Sequence, residues 1–300
     1  MDHYASLQCL RLRFRFTVDK PLNLPVYKGS TFHGALGYAL KRVAPLLCKE
    51  LFEPKPTEGN GTIPRPFILR PPPEAQRTYE AGSTISCELL VVGAAINHLS
   101  LFICAMDSLG REGIGKQRSP LSLAGVDVLQ PNGTEQTIYS AAEQSWRTPP
   151  APATGADLVA ARPITDTSSV SLHFQSRLRL QTDNRLVRSA PEFRAFFARL
   201  LGRLSMLAWF HHGLALVEET DKGALLEQAD AVGICSEKLV WDDWSRYSGR
   251  QQAWMKFGGL LGEITYTGEL TPFLPYLILG EWLHVGGKTS FGLGQYRIND

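Results

Sequence analysis

Histidine, glycine and lysine stand at positions 33, 37 and 41, a spacing that stacks them down one side of a helix. An imidazole titrates near neutrality and can take or give a proton, and a glycine one turn on leaves room for close approach. His33, Gly37 and Lys41 would then edge a shallow groove with titratable chemistry. Phe32, Leu36, Leu40, Val43 and Leu47 supply the apolar stripe of that helix, and Ser30 or Thr31 its cap. The same spacing fits a boundary histidine that only packs or hydrogen-bonds beside a core. The second stretch is Gly286-Gly287-Lys288-Thr289-Ser290-Phe291-Gly292-Leu293-Gly294. Glycines let backbone N–H groups come near a ligand, and several such groups beside one lysine suit a phosphate. A tight turn that packs a helix on a sheet has the same composition. A P-loop is excluded, because G-x-x-x-x-G-K-[ST] would place its first glycine at position 282, which is Trp282.

These side chains need a scaffold, and 300 residues at 44% hydrophobic composition suffice for one large domain or two ordinary ones. A net charge of +2 excludes a histone-like polycation. The window 160–205 departs from that balance, with eight arginines against Asp166, Asp183 and Glu192. It reads either as a patch holding a polyanion at one place, or as a solvated helix face and a charge-guarded edge strand. Five scattered cysteines without a C-x-x-C pair argue against a zinc site and a disulfide framework, and suit a reducing cytoplasm. No apolar run has the length of a membrane span, and arginines at alternate positions near the start are unlike a secretory signal.

Period-2 alternation of Leu10, Leu12, Phe14, Phe16 and Val18 with Arg11, Arg13 and Arg15 predicts a first strand with one basic face. The helix carrying His33 follows, then a Pro/Gly loop over 53–66. Strands follow at 66–70 and 83–92, a helix at 97–109 ending at Gly110, a basic glycine loop at 113–118 and a strand at 120–129. The order βαββαβ is ferredoxin-like. Residues 1–146 form this domain, and the Pro/Ala/Thr-rich stretch opening 147–168 reads as a linker. In 169–300 the pattern predicts strands at 171–180, 258–266 and 295–298, with helices at 191–212 and 272–284. His211 and His212 end the first of those helices, an ordinary place for histidine. Trp241, Trp244, Arg246, Tyr247 and Arg250 mix aromatics with guanidinium groups, the combination that stacks on single-stranded bases; tryptophans of a core would look the same.

The glycine loop before a final strand resembles the C-terminal signature of the CRISPR-associated RAMP superfamily, within it the endoribonucleases that cut precursor CRISPR RNA inside each repeat. Pro66-Phe-Ile-Leu-Arg-Pro-Pro72, Leu109-Gly-Arg-Glu-Gly-Ile-Gly-Lys-Gln-Arg118 and the Trp/Arg segment 241–251 are similar to phrases of that family. Gln175-Ser176-Arg177 departs from it, since members usually carry Thr-Pro there. The resemblance implies an α+β chain of two tandem ferredoxin-like (RRM-like) domains, and metal-independent cleavage with no cofactor, by attack of the ribose 2′-OH on the adjacent phosphorus. It implies His33 as general acid or base, helped by Tyr27 and Lys41. The RNA contacts it implies are Lys28, Lys116, Arg118, Arg177, Arg179, Gly286, Gly287, Lys288, Gly292 and Gly294. The partners would be precursor CRISPR RNA and other CRISPR effector subunits. Two alternatives stand beside it: a non-catalytic RAMP subunit that holds guide RNA, and a ferredoxin-like protein binding a small anion.

Overall fold

The computed structural model describes residues 3–52, 63–73, 76–182, 185–248 and 253–299, and two compact units divide the chain. One comprises Leu7–Thr154 with Phe210–His212; the other comprises Met1–Ser6, Gly155–Trp209 and Gly213–Asp300. The expected linker carries structure of its own, a two-residue strand Ala153–Thr154 paired with the first strand and a helix Gly155–Ala160.

The first unit runs β1 (Gln8–Val18), α1 (Gly29–Val43), α2 (Pro45–Phe52), β2 (Phe67–Arg70), β3 (Thr84–Val92), α3 (Leu99–Glu112), β4 (Leu121–Leu129) and β5 (Glu135–Ser140). Its sheet has the antiparallel order β2-β3-β1-β4-β5, followed by Ser145–Trp146. The central order β2-β3-β1-β4 is that of the ferredoxin-like fold. Leu10, Leu12, Phe14, Phe16 and Val18 are buried, as the alternation requires. Their odd-numbered neighbours do not form a bare basic face. Arg11 pairs with Glu88 at 2.7 Å, Arg13 with Glu135 at 2.6 Å and Arg15 with Asp127 at 2.7 Å.

Three boundaries differ from expectation. Lys28 is the residue before α1, so Ser30 and Thr31 lie inside its first turn, and Pro45 divides the expected long helix into α1 and α2. Helix α3 runs past Gly110 to Glu112 and stops at Gly113, where φ is +79°.

The second unit runs β6 (Ser169–Leu178), α4 (Phe193–His212), α5 (Glu219–Gln228), β7 (Gly233–Asp242), β8 (Gly259–Thr267), α6 (Leu274–Leu283) and β9 (Tyr296–Asn299), with sheet order β7-β8-β6-β9. That is the same ferredoxin-like order. Its core is aromatic: Phe193 and Phe197 of α4 pack at 5.0 and 4.8 Å on Phe273, and Phe196 meets Tyr296 at 5.9 Å. The buried hydroxyls of Tyr266 and Tyr296 donate to Pro191 O and Leu277 O, so the rings enter the core without an unsatisfied polar end.

Burial alone would raise the Asp127 carboxyl, but hydrogen bonds from Arg15 and Thr137 and the charges of Arg15 and Arg13 outweigh it and hold the group below the usual carboxylate range. A depressed folded-state pKa gives stability that is present above the unfolded value and lost as pH falls through the folded one. Asp127→Asn should therefore cost about 2 kcal/mol at pH 7, and the difference from wild type should shrink as pH drops below 3.8. Urea titrations at pH 7 and pH 3 measure this; an equal cost at both would mean the carboxylate charge is not the stabilising element.

Candidate histidine site and nucleic-acid interface

Helix α1 turns Phe32, Leu36, Ala39 and Leu40 into the core, and His33 follows them inside. The imidazole is 6% exposed, 5.0 Å from the Phe52 ring and 5.8 Å from Phe67, and these two phenyl rings lie 5.1 Å apart. The groove expected over His33 and Gly37 is therefore filled. Pro45 starts a helix that folds back, Cys48 Sγ reaches Gly37 O at 3.4 Å, and Phe52 lies on the bare backbone of Gly37. A Cβ at Gly37 would fall 2.8 Å from the Phe52 ring, so the glycine serves this packing.

The other residues expected around His33 do not gather there. Lys41 is exposed and stands two turns on, about 12 Å along the axis. Tyr27 is buried. Lys28 is wholly buried, and its ammonium donates to Pro73 O at 2.7 Å and Val26 O at 3.3 Å. Its charge is consumed in fixing the approach to α1, which removes Lys28 from the RNA contacts. Lys116 and Arg118 are exposed on the glycine loop before β4, as an RNA contact requires.

In the second unit the glycine loop lies against the end of β6. The Gly287 and Gly294 amides donate to Arg179 O at 2.8 Å and Arg177 O at 3.0 Å, and Ser176 Oγ donates to Gly292 O at 2.7 Å. Val285, Phe291 and Gly292 also commit their amides to protein carbonyls. Gly286 has φ +84° with Arg179 O where a Cβ would sit, and at Gly294, φ +72°, a Cβ would collide with Val285 O. Gly286, Gly292 and Gly294 thus serve backbone packing, not the phosphate contact expected of them. What the loop presents is Lys288, held at φ +61° beside Arg179. Its ammonium donates to Lys256 O at 2.6 Å and lies 3.8 Å from the centre of the Phe257 ring. Burial and the neighbouring Arg179 push it down to about 8. Arg179 donates to Gly258 O at 2.9 Å and is half-buried; burial lowers it, with Asp243 opposing.

Arg177 is 4% exposed, pairs with Asp242 and lies over Trp244, so its charge is neutralised inside the unit and is not offered to RNA. Other arginines of the 160–205 window are likewise engaged: Arg162 with Glu281, Arg194 with Asp230, Arg199 with Gln181 O and Arg203 with Leu283 O. These side chains fasten elements of the unit to one another through carboxylates and carbonyls. Trp241 lies under Arg188 at 4.8 Å and Trp244 packs on Phe257 at 4.9 Å. Arg250 lies outside the described residues. Three other histidines hold structure together: His284 Nδ1 bonds Leu293 O, His211 Nε2 bonds Pro64 O and His212 Nε2 accepts from the Gln8 amide. The aromatic cover of His33 was missed in the sequence, although Gly37 beside a downstream Phe52 was its signal.

Two ferredoxin-like units, the second closed by a cationic glycine loop, define the class as a tandem ferredoxin-like (RRM-like) protein. Residues 172–296, most of the second unit, match the family model described as CRISPR-associated endoribonuclease Cas6. Residues 7–151 match a model described as an N-terminal domain, AF_1859_N. No curated protein matches the sequence. Among solved structures, a Thermus thermophilus Cas6 (TTHB231) is 18% identical over 98% of this chain and 100% of its own, with a TM-score of 0.61. A Cas6 (TTHB231) product complex is 17% identical over 97% of this chain and 99% of its own, at 0.65. A partial Cas6-RT-Cas1–Cas2 complex is 16% identical over 100% of this chain and 47% of its own, at 0.63.

The glycine geometry separates two substitutions. Gly294→Ala should lower the melting temperature by many degrees or prevent folding, because both its φ and the Val285 carbonyl oppose a side chain. Gly287→Ala, whose Cβ would meet nothing nearer than 3.6 Å, should melt like wild type. Equal melting of the two variants would contradict the packing role assigned to the loop.

Proposed function

We propose that this chain is a metal-independent endoribonuclease that cuts precursor CRISPR RNA within its repeats. The observation that carries the reading is the Cas6 match over 172–296, which includes the loop that presents Lys288 beside Arg179. In this reading the 2′-OH beside the cut attacks the phosphorus and the 5′-oxygen leaves. His33 moves a proton at one of those oxygens, and cations elsewhere hold the backbone. Phe52 must leave its place on Gly37 before the imidazole can meet a phosphodiester, because the ring is nine-tenths buried in its present packing. Five cysteines that form no disulfide among the described residues suit a cytoplasmic protein, and no helix among the described residues is long and apolar enough to cross a membrane. Other CRISPR subunits are proposed as partners.

The cover over His33 favours a second reading, a Cas6-like subunit that holds RNA without cutting it. Incubation of labelled cognate repeat RNA in excess EDTA separates the two. Cleavage is expected, with a 2′,3′-cyclic phosphate or 3′-phosphate end, and none when the nucleotide 5′ of the cut is deoxyribose. Loss of cutting on chelation, restored by Mg²⁺, would overturn the metal-independent mechanism. His33→Ala should bind the repeat and cut it about a hundredfold more slowly; wild-type cutting by that variant would end the role given to His33.

Lys288 makes the binding step sensitive to pH. Its ammonium loses its proton as pH rises through about 8, so affinity for repeat RNA at constant salt should fall between pH 7 and pH 9. Lys288→Arg should flatten that limb. A wild-type affinity that does not change over this range would take Lys288 out of the interface.

A further inference from the structure

We infer that the first unit carries its own binding surface for an RNA phosphate backbone, formed by Lys20, Arg77, Lys116 and Arg118. Three segments distant in sequence meet there. Leu22–Asn23 pairs with Thr78–Tyr79, and the Leu24 amide donates to Arg77 O at 2.9 Å. The loop before β4 lies on the same strand: Gly115 is within 3.2 Å of Asn23 O at the position of its absent Cβ, and Ser119 Oγ donates to Pro21 O at 2.9 Å. Asp19 N completes the junction by donating to Pro120 O at 3.1 Å. Lys20, Arg77, Lys116 and Arg118 are all exposed on these segments. The described acids of the same segments are Asp19, which accepts from Ser122 Oγ, and Glu80. Four cations against two acids leave a net positive surface, in contrast to β1, where Arg11, Arg13 and Arg15 each face a carboxylate.

A second observation is conformational. The loop is closed by paired bonds between Ile114 and Ser119 at 3.0 Å, and Arg118 within it is left-handed, with φ +48°. Glycine or asparagine adopts that conformation readily, whereas other residues incur about 1–2 kcal/mol. Strain at an exposed cation points to a binding duty for that side chain. The fit is to a flexible polyanion and not to a single phosphate, since the cations are spread over three loops.

This inference rests on the RNA-processing reading, and the test keeps the two apart. Repeat RNA affinity is measured across a salt series for wild type, Lys20→Gln/Arg77→Gln, Lys116→Gln/Arg118→Gln and, as a control, Lys222→Gln, whose lysine pairs with Glu219. Each double variant should bind roughly tenfold more weakly near physiological salt and lose about 0.7 of log–log salt slope per cation removed, as counterion release predicts for single strands. The control should match wild type. Arg118→Gly is the variant that cannot be explained by damage to the fold: its melting temperature should equal or exceed that of wild type while its affinity falls. A wild type that binds and cuts RNA while the double variants keep its slope would overturn this surface and leave the endonuclease reading intact. A wild type with no affinity for repeat RNA would overturn both.

Discussion

The second unit depends on a backbone-to-backbone contact between the end of β6 and the glycine loop. Gly287 and Gly294 donate to the carbonyls of Arg179 and Arg177, and Gly292 receives the Ser176 hydroxyl. Such approach leaves no volume for side chains at Gly286 or Gly294. With the loop docked, Lys288 has few places to go, and it lies over Phe257 beside Arg179 with part of its water removed. Two like charges are thus brought together before any ligand arrives. On the proposed reading, the stability lost by that arrangement is recovered when a phosphate sits between them.

In the first unit the governing constraint is a break in a helix. Pro45 lacks the N–H that would continue α1, so α2 turns back and delivers Phe52 onto Gly37. The result is an imidazole between two phenyl rings. Enclosure of this kind holds a histidine in one orientation and keeps water from it, both useful to a proton-transfer group, but it also keeps substrate away. On the role proposed for His33, the cost of shifting one aromatic side chain separates the packed state from a competent one. Binding of a large ligand can supply it, since only interactions that differ between the two states move the balance between them.

The fold was legible because its signals are local and periodic. The alternation in 10–18, the helical stripe from Phe32 to Leu40 and the aromatic ladder of α4 each decide an element on their own, and the order of elements then decides the topology. Strands β5 and β7 were missed for the opposite reason: in β5 only Ile138 is buried, and β7 lies on the sheet edge with most of its residues exposed, so neither carries an alternating pattern. The candidate site was legible in type but not in arrangement. His33 and Lys288 could be selected by their chemistry, whereas the burial of Lys28 and the pairing of Arg177 with Asp242 arise from contacts across 45 and 65 positions that no window of sequence contains.

Charge shows the same limit most clearly. The arginine-rich window 160–205 was one candidate place for a polyanion, and the basic loop 113–118 held others of the expected RNA contacts. Packing separates the two. Arg162, Arg177 and Arg194 meet carboxylates and Arg199 and Arg203 meet carbonyls, so these guanidinium groups act as fasteners between elements. Burial even pushes Arg203 down to about 10, the mark of a cation kept from water. On the first unit, Lys20, Arg77, Lys116 and Arg118 are dispersed through ninety-nine positions of sequence and therefore invisible as a cluster, yet hydrogen bonds between three loops assemble them. A paired cation adds little to the field felt by a passing phosphate, because its partner's charge cancels it beyond a few ångströms. Local density of arginine is thus a poor guide to an RNA surface, and the density of exposed cations without a carboxylate partner is the quantity that decides it.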